Sequence, residues 1–99
     1  MNDRLGELGI PELSTEQIEI LCAAAEEEAR KYVLSKVSPK MVDLLDISVE
    51  AEGSKPLKVS VEINLQLTPE AKEVDAQTLV NEATGAAHQT VETYLRKLK

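Results

Sequence analysis

The sequence has no Trp and no Phe, and only two tyrosines, Tyr32 and Tyr94. A core of large rings is therefore excluded. So is the usual sheet for reading RNA, which stacks bases on exposed aromatics. A single cysteine, Cys22, excludes an internal disulfide and the stapled scaffold of small secreted domains. No apolar run is long enough to span a bilayer, and the MNDRLGELG start carries no apolar signal core. The expected location is cytoplasmic. Positive charge is also scarce: 11 Lys and Arg stand against 18 Asp and Glu, for a net charge of −7. That field disfavours non-specific binding to phosphate backbones and suits a basic partner.

What is present is patterned. Ninety-nine residues make one domain with a modest core. Much of the apolar content is alanine, which buries little area. Residues 1–13, with Gly6, Gly9 and Pro11, read as a lead-in to a single α+β domain over 14–99. Ser14 and Gln17 have the spacing of a capping box, and Leu13 and Ile18 that of a hydrophobic staple. Ile18, Leu21, Cys22, Ala25, Ala29, Val33 and Val37 then recur in steps that fall on one helical face. Glu26–Arg30 and Glu27–Lys31 are i,i+4 pairs in the favourable order. Ser38-Pro39 stops the helix.

Two strands follow. Leu45, Ile47, Val49 and Ala51 alternate with Asp46, Ser48 and Glu50. In LKVSVEINLQL, Leu57 to Leu67, every odd position is apolar and every even one polar. The connector EGSKP, residues 52–56, is short enough for a hairpin. Thr68-Pro69 ends the second strand. Asp75 is the expected cap of a second helix, with Val74 and Leu79 as its staple. Leu79, Val80, Ala83, Ala87, Val91, Tyr94, Leu95 and Leu98 form its apolar stripe. The predicted fold is a two-layer α-β-β-α arrangement, an antiparallel hairpin with both helices on one face. Two strands about 4.8 Å apart are narrow for helices about 10 Å across, so the expectation includes a four-stranded sheet shared in a homodimer.

No motif names a reaction, and no residue is assigned as catalytic, cofactor-binding or metal-binding. Cys22 lies on an apolar face and lacks an identifiable base. His88 has no second histidine to complete a metal site. Asp43, Asp46, Glu50 and Glu62 match no metal or acid–base template, and Glu26-Glu27-Glu28 reads as a solvated helix surface. Gly53 and Gly85 are isolated and cradle no phosphate. Arg96, Lys97 and Lys99 are the one compact basic patch, which a helix C-terminus favours on its own account. The polar residues Lys58, Ser60, Glu62, Asn64 and Gln66 form either a wet face or a contact surface.

LLDISVEAEG, LKVSVEINLQLTP and NEATGAAHQTVETYLRKL together resemble a small archaeal family of uncharacterised proteins, over residues 14–98. Its members are often encoded beside the prefoldin beta subunit and the small subunit of the KEOPS tRNA-modification complex. The resemblance implies a helix–strand–strand–helix protein in an archaeal cytoplasm and brings no activity with it. The expected function is a small non-enzymatic interaction or assembly protein with a protein partner or a second copy. The alternatives are an RNA- or nucleoprotein-associated accessory factor using the basic C-terminus, and a hydrolytic enzyme using surface carboxylates, which needs Asp43, Asp46 or His88 to converge in a cleft.

Overall fold

A computed structural model of the chain describes residues 13–53 and 57–97. Helix α1 spans Thr15–Lys36, strand β1 Val42–Glu52, strand β2 Lys58–Leu67 and helix α2 Ala76–Lys97. Of the expected lead-in, residues 1–12 lie outside the described part. Leu13 is buried and joins the core.

Local chemistry accounts for each boundary. The Ser14 side chain accepts from the Gln17 backbone N–H at 3.1 Å. The Gln17 side chain in turn accepts from the Ser14 N–H at 2.9 Å. These satisfy two donors that a bare helix start leaves free. Lys36 is the last residue of α1, and Val37 lies just beyond it, still buried. Ser38 then caps a single 3-10 turn, Pro39–Met41, which redirects the chain into β1. At α2 the Asp75 carboxylate accepts from the backbone N–H of Gln77 at 3.1 Å and of Thr78 at 3.4 Å. The Thr78 hydroxyl donates to its other oxygen at 3.0 Å. Within α1 the Glu26–Arg30 pair closes at 3.1 Å, and among the described residues Glu27–Lys31 does not close.

The strands pair antiparallel with Ile47 opposite Ile63, Leu45 opposite Leu65, Val49 opposite Val61 and Ala51 opposite Val59. Both apolar sets therefore share one face, and Ile47 and Ile63 are its buried centre. The register slips between Val42 and Leu44, so the strand is bulged near Asp43. The slip turns Val42 to the inner face opposite Leu67, while Leu44 stays opposite the outward Gln66 and is 42% exposed. The connector is shifted by one residue from the expected 52–56, because Glu52 still pairs with Lys58. Gly53 leaves β1 at φ 79°, a left-handed conformation that glycine adopts without steric cost. Residues 54–56 of the connector lie outside the described part.

Both helices lie on the apolar face, α1 packed on β1 and α2 on β2, and they also pack on each other. Ala25, Ala29, Ala83 and Ala87 have no exposed surface. Small side chains there let the helix axes approach closely. This relieves the width mismatch between two helices and two strands within one chain. Leu21 and Val33 are the largest fully buried side chains.

Candidate functional site

Among the described residues, three surfaces are candidates for contact with a partner: the outer sheet face, the groove between the helices, and the flank of α2 beside β2.

The outer sheet face carries Asp46, Ser48, Glu50 and Glu52 from β1 and Lys58, Ser60, Glu62, Asn64 and Gln66 from β2, all exposed. The ladder pairs Glu52 with Lys58, Ser48 with Glu62, Glu50 with Ser60 and Asp46 with Asn64. Glu62 therefore has Asp46 and Glu50 as diagonal neighbours across the ladder, a spacing of about 7–8 Å. Lys58 is the one cation among these residues, so the face is acidic. Among the described residues no three side chains of metal-binding type come together.

The outer groove between the helices is a shallow depression of about 480 Å³, lined by Ala24, Glu28, Ala86, Gln89 and Thr90 and by Tyr94 and Lys97 at one end. Near its other end the Tyr32 hydroxyl donates to the Glu82 carboxylate at 2.9 Å, joining the two helices. That bond, then burial and the carboxylate's charge, raises the Tyr32 pKa above the usual phenol value. The Lys36 ammonium sits 5.4 Å from the Tyr32 ring centroid. The bond joins residues fifty positions apart, so no local pattern announces it.

The α2 flank forms a second depression, about 500 Å³, where Leu57 and Val59 meet Val91 and Leu95, with Gly85, His88, Gln89 and Glu92 on the helix. His88 is exposed here. Asp43 is the unpaired residue of the bulge beside Leu67, at the far end of β2 from Val59. Those ends of the strand are about 26 Å apart. The structure thus places His88 and Asp43 near opposite ends of β2.

The remaining sequence candidates have local explanations. Cys22 is half-buried, and burial pushes its thiol pKa up, which lowers its reactivity. Arg96 lies 3.9 Å from Glu92, one turn back, as an exposed i,i+4 pair at the helix end. Lys97 borders the helix groove, and Lys99 lies outside the described residues. No described helix is long and apolar enough to cross a membrane.

Residues 10–94 match a family model described as a protein of unknown function, DUF3194. The chain belongs to this family. An uncharacterised protein of Thermococcus kodakarensis is 27% identical over 95 residues, covering 96% of this chain and 87% of that protein. One of Pyrococcus furiosus is 24% identical over 91 residues, covering 92% and 81%. Among solved structures, the solution structure of a hypothetical protein from Methanothermobacter thermautotrophicus superposes with a TM-score of 0.75 at 25% identity, covering 92% of this chain and 98% of that one. A crystal structure from Thermococcus onnurineus gives a TM-score of 0.74 at 29% identity, covering 91% and 86%. The DUF3194 fold is thus a helix–strand–strand–helix unit found in archaeal proteins, and the similarity extends over the hairpin and both helices.

Proposed function

We propose that this DUF3194 protein is a non-enzymatic interaction protein that engages a basic protein partner through its hairpin in the cytoplasm. One observation carries the reading. Among the described residues no element covers the outer face of the two-stranded sheet, and its charged side chains are mostly carboxylates. A solvated face needs polar residues only. A face dominated by one sign also selects partners and speeds their encounter. The nucleic-acid alternative has weaker support, because the net charge is −7 and Arg96 is paired in its own helix.

The test is site-specific photo-crosslinking in archaeal extract at physiological salt. A photoreactive residue replaces Ser48 or Ser60 on the outer face, Ile20 on the outward side of α1, or His88 on the α2 flank. The expected result is a discrete protein adduct from the hairpin positions that disappears in Glu50→Lys/Glu62→Lys protein. Absence of an adduct from every position rejects the reading. An RNA adduct in place of a protein rejects it in favour of the nucleic-acid role.

A further inference from the structure

A strand edge exposes a row of unpaired N–H and C=O groups, which recruits another strand unless something protects it. Each strand of this sheet has one such edge among the described residues. The two edges differ. β1 is bulged near Asp43, and its outward residues include Asp46, Glu50 and Glu52. A bulge and a run of charge both discourage pairing. The ladder shows no such slip along β2 from Lys58 to Gln66, and its outward residues there are mainly neutral.

Beside the β2 edge lies the apolar depression of Leu57, Val59, Val91 and Leu95. Gly85 borders it from the middle of α2. A Cβ added to Gly85 would meet nothing within 4 Å. Glycine inside a helix costs about 1 kcal/mol relative to alanine. No described neighbour within the chain requires the missing side chain. The glycine leaves room at the helix surface beside an unpaired strand and an apolar depression.

We infer that the free edge of β2 and the adjoining α2 flank take an extended segment of a partner protein as a third strand, with apolar residues alternating with basic ones. The inference rests on the interaction reading and names the chemistry of its partner. Side chains of the added strand that point towards the helix layer meet Val59, Val91 and Leu95. The alternate ones lie on the outer face beside Glu62, which has Asp46 and Glu50 as its diagonal neighbours. Lysine or arginine complements that cluster. A second copy fits less well than a bare strand, because its own β2 carries an α2. Within one chain the alanine seam lets α1 and α2 share adjacent strands, but the α2 flank carries Gln89, Glu92 and Leu95 in place of such a seam, so two α2 helices fit less closely over adjacent β2 strands.

The experiment uses the full chain, isotope-labelled, and two short capped peptides, one alternating valine with lysine and the other valine with glutamate. The lysine peptide is expected to shift the amide resonances of β2 and of Gly85 to Leu95. It should also slow hydrogen exchange at alternate β2 amides, those directed to the free edge. Glu62→Lys should weaken the lysine peptide several-fold and strengthen the glutamate peptide, with an unchanged far-UV circular dichroism spectrum. Gly85→Gln, which fills the depression, should weaken the lysine peptide without unfolding the domain. No shift at millimolar peptide overturns the inference. So do shifts spread over both strands' outer faces with no exchange protection at the β2 edge. Concentration-dependent protection of that edge without peptide also overturns it, in favour of a second copy. Peptide failure alongside protein adducts from Ser48 or Ser60 rejects this edge alone and leaves the interaction reading standing.

Discussion

At the scale of single residues, the fold depends on a few side chains without substitutes. Ile63 sits opposite Ile47 at the centre of the buried face. Ile63→Asp would place an unpaired charge there, a loss of several kcal/mol against a typical domain stability of about 5–15 kcal/mol. We expect no cooperative thermal transition for Ile63→Asp or Val61→Asp, whereas a melt like that of the native protein would contradict the assigned face. Tyr32 gives a pH signature. Its hydroxyl donates to Glu82, so its folded pKa is raised above the unfolded value of about 10. The sign follows from linkage. The bond contributes stability in full below the unfolded pKa, and the contribution is lost as pH rises through the higher folded value. Tyr32→Phe should therefore melt below native protein at neutral pH, and the gap should close in strongly alkaline solution. Neither residue's partner could be named from sequence. Ile47 and Ile63 each announce a face, while their pairing depends on the hairpin register.

At the scale of elements, the helix starts are the most legible part of the chain. The capping box of Ser14 with Gln17 and the cap at Asp75 are local devices legible in the sequence, and both form; the Thr78 hydroxyl that also bonds Asp75 was not legible there. Ser14→Ala should cost about 1 kcal/mol in chemical denaturation, and Asp75→Ala should lower the denaturation midpoint in the same direction. The Asp75 effect should depend on pH. The Thr78 hydroxyl first, then the Thr78 and Gln77 backbone N–H groups, hold its carboxyl below the usual range. A depressed pKa contributes stability above the unfolded value of about 3.9, and the contribution is lost as pH falls through the folded value. The difference between Asp75→Ala and native protein should therefore shrink in acid. Strand faces were equally legible, because a period of two needs no tertiary information. The bulge near Asp43 was not, since a slip of register belongs to two strands at once. In α2, Gly85→Ala should raise stability by about 0.8–1 kcal/mol, because the position is helical and open. No gain there would mean that the glycine serves the folded chain itself.

At the scale of the whole molecule, the alanine seam decides how two helices share two strands. Ala29 and Ala87 have no exposed surface. Ala87→Leu would force the helices apart, and overpacking of this kind costs about 1–3 kcal/mol. The expected observations are a lower melting temperature and a loosened Tyr32–Glu82 bond, seen as a Tyr32 pKa nearer its ordinary value. Of the candidate surfaces, the polar alternation of the outer face was readable in sequence, but the clustering of Asp46 and Glu50 about Glu62 was not. Those residues sit on different strands and meet only through the ladder. The α2 flank was hidden for the same reason. Gly85 and His88 belong to one element, while Leu57 and Val59 belong to another.

The sequence by itself determined the elements, their caps and the sidedness of each, because caps and periodicity act within a few residues. It also determined the acidic charge and the lack of a recognised catalytic or metal-ligand motif. Only the tertiary structure decided that both helices fit over one hairpin, where small side chains from distant segments meet. It alone brought the carboxylates together and separated His88 from Asp43. It also put the apolar flank of α2 beside the free edge of β2. These are relations between segments far apart in the chain, set by packing and strand register rather than by any local pattern.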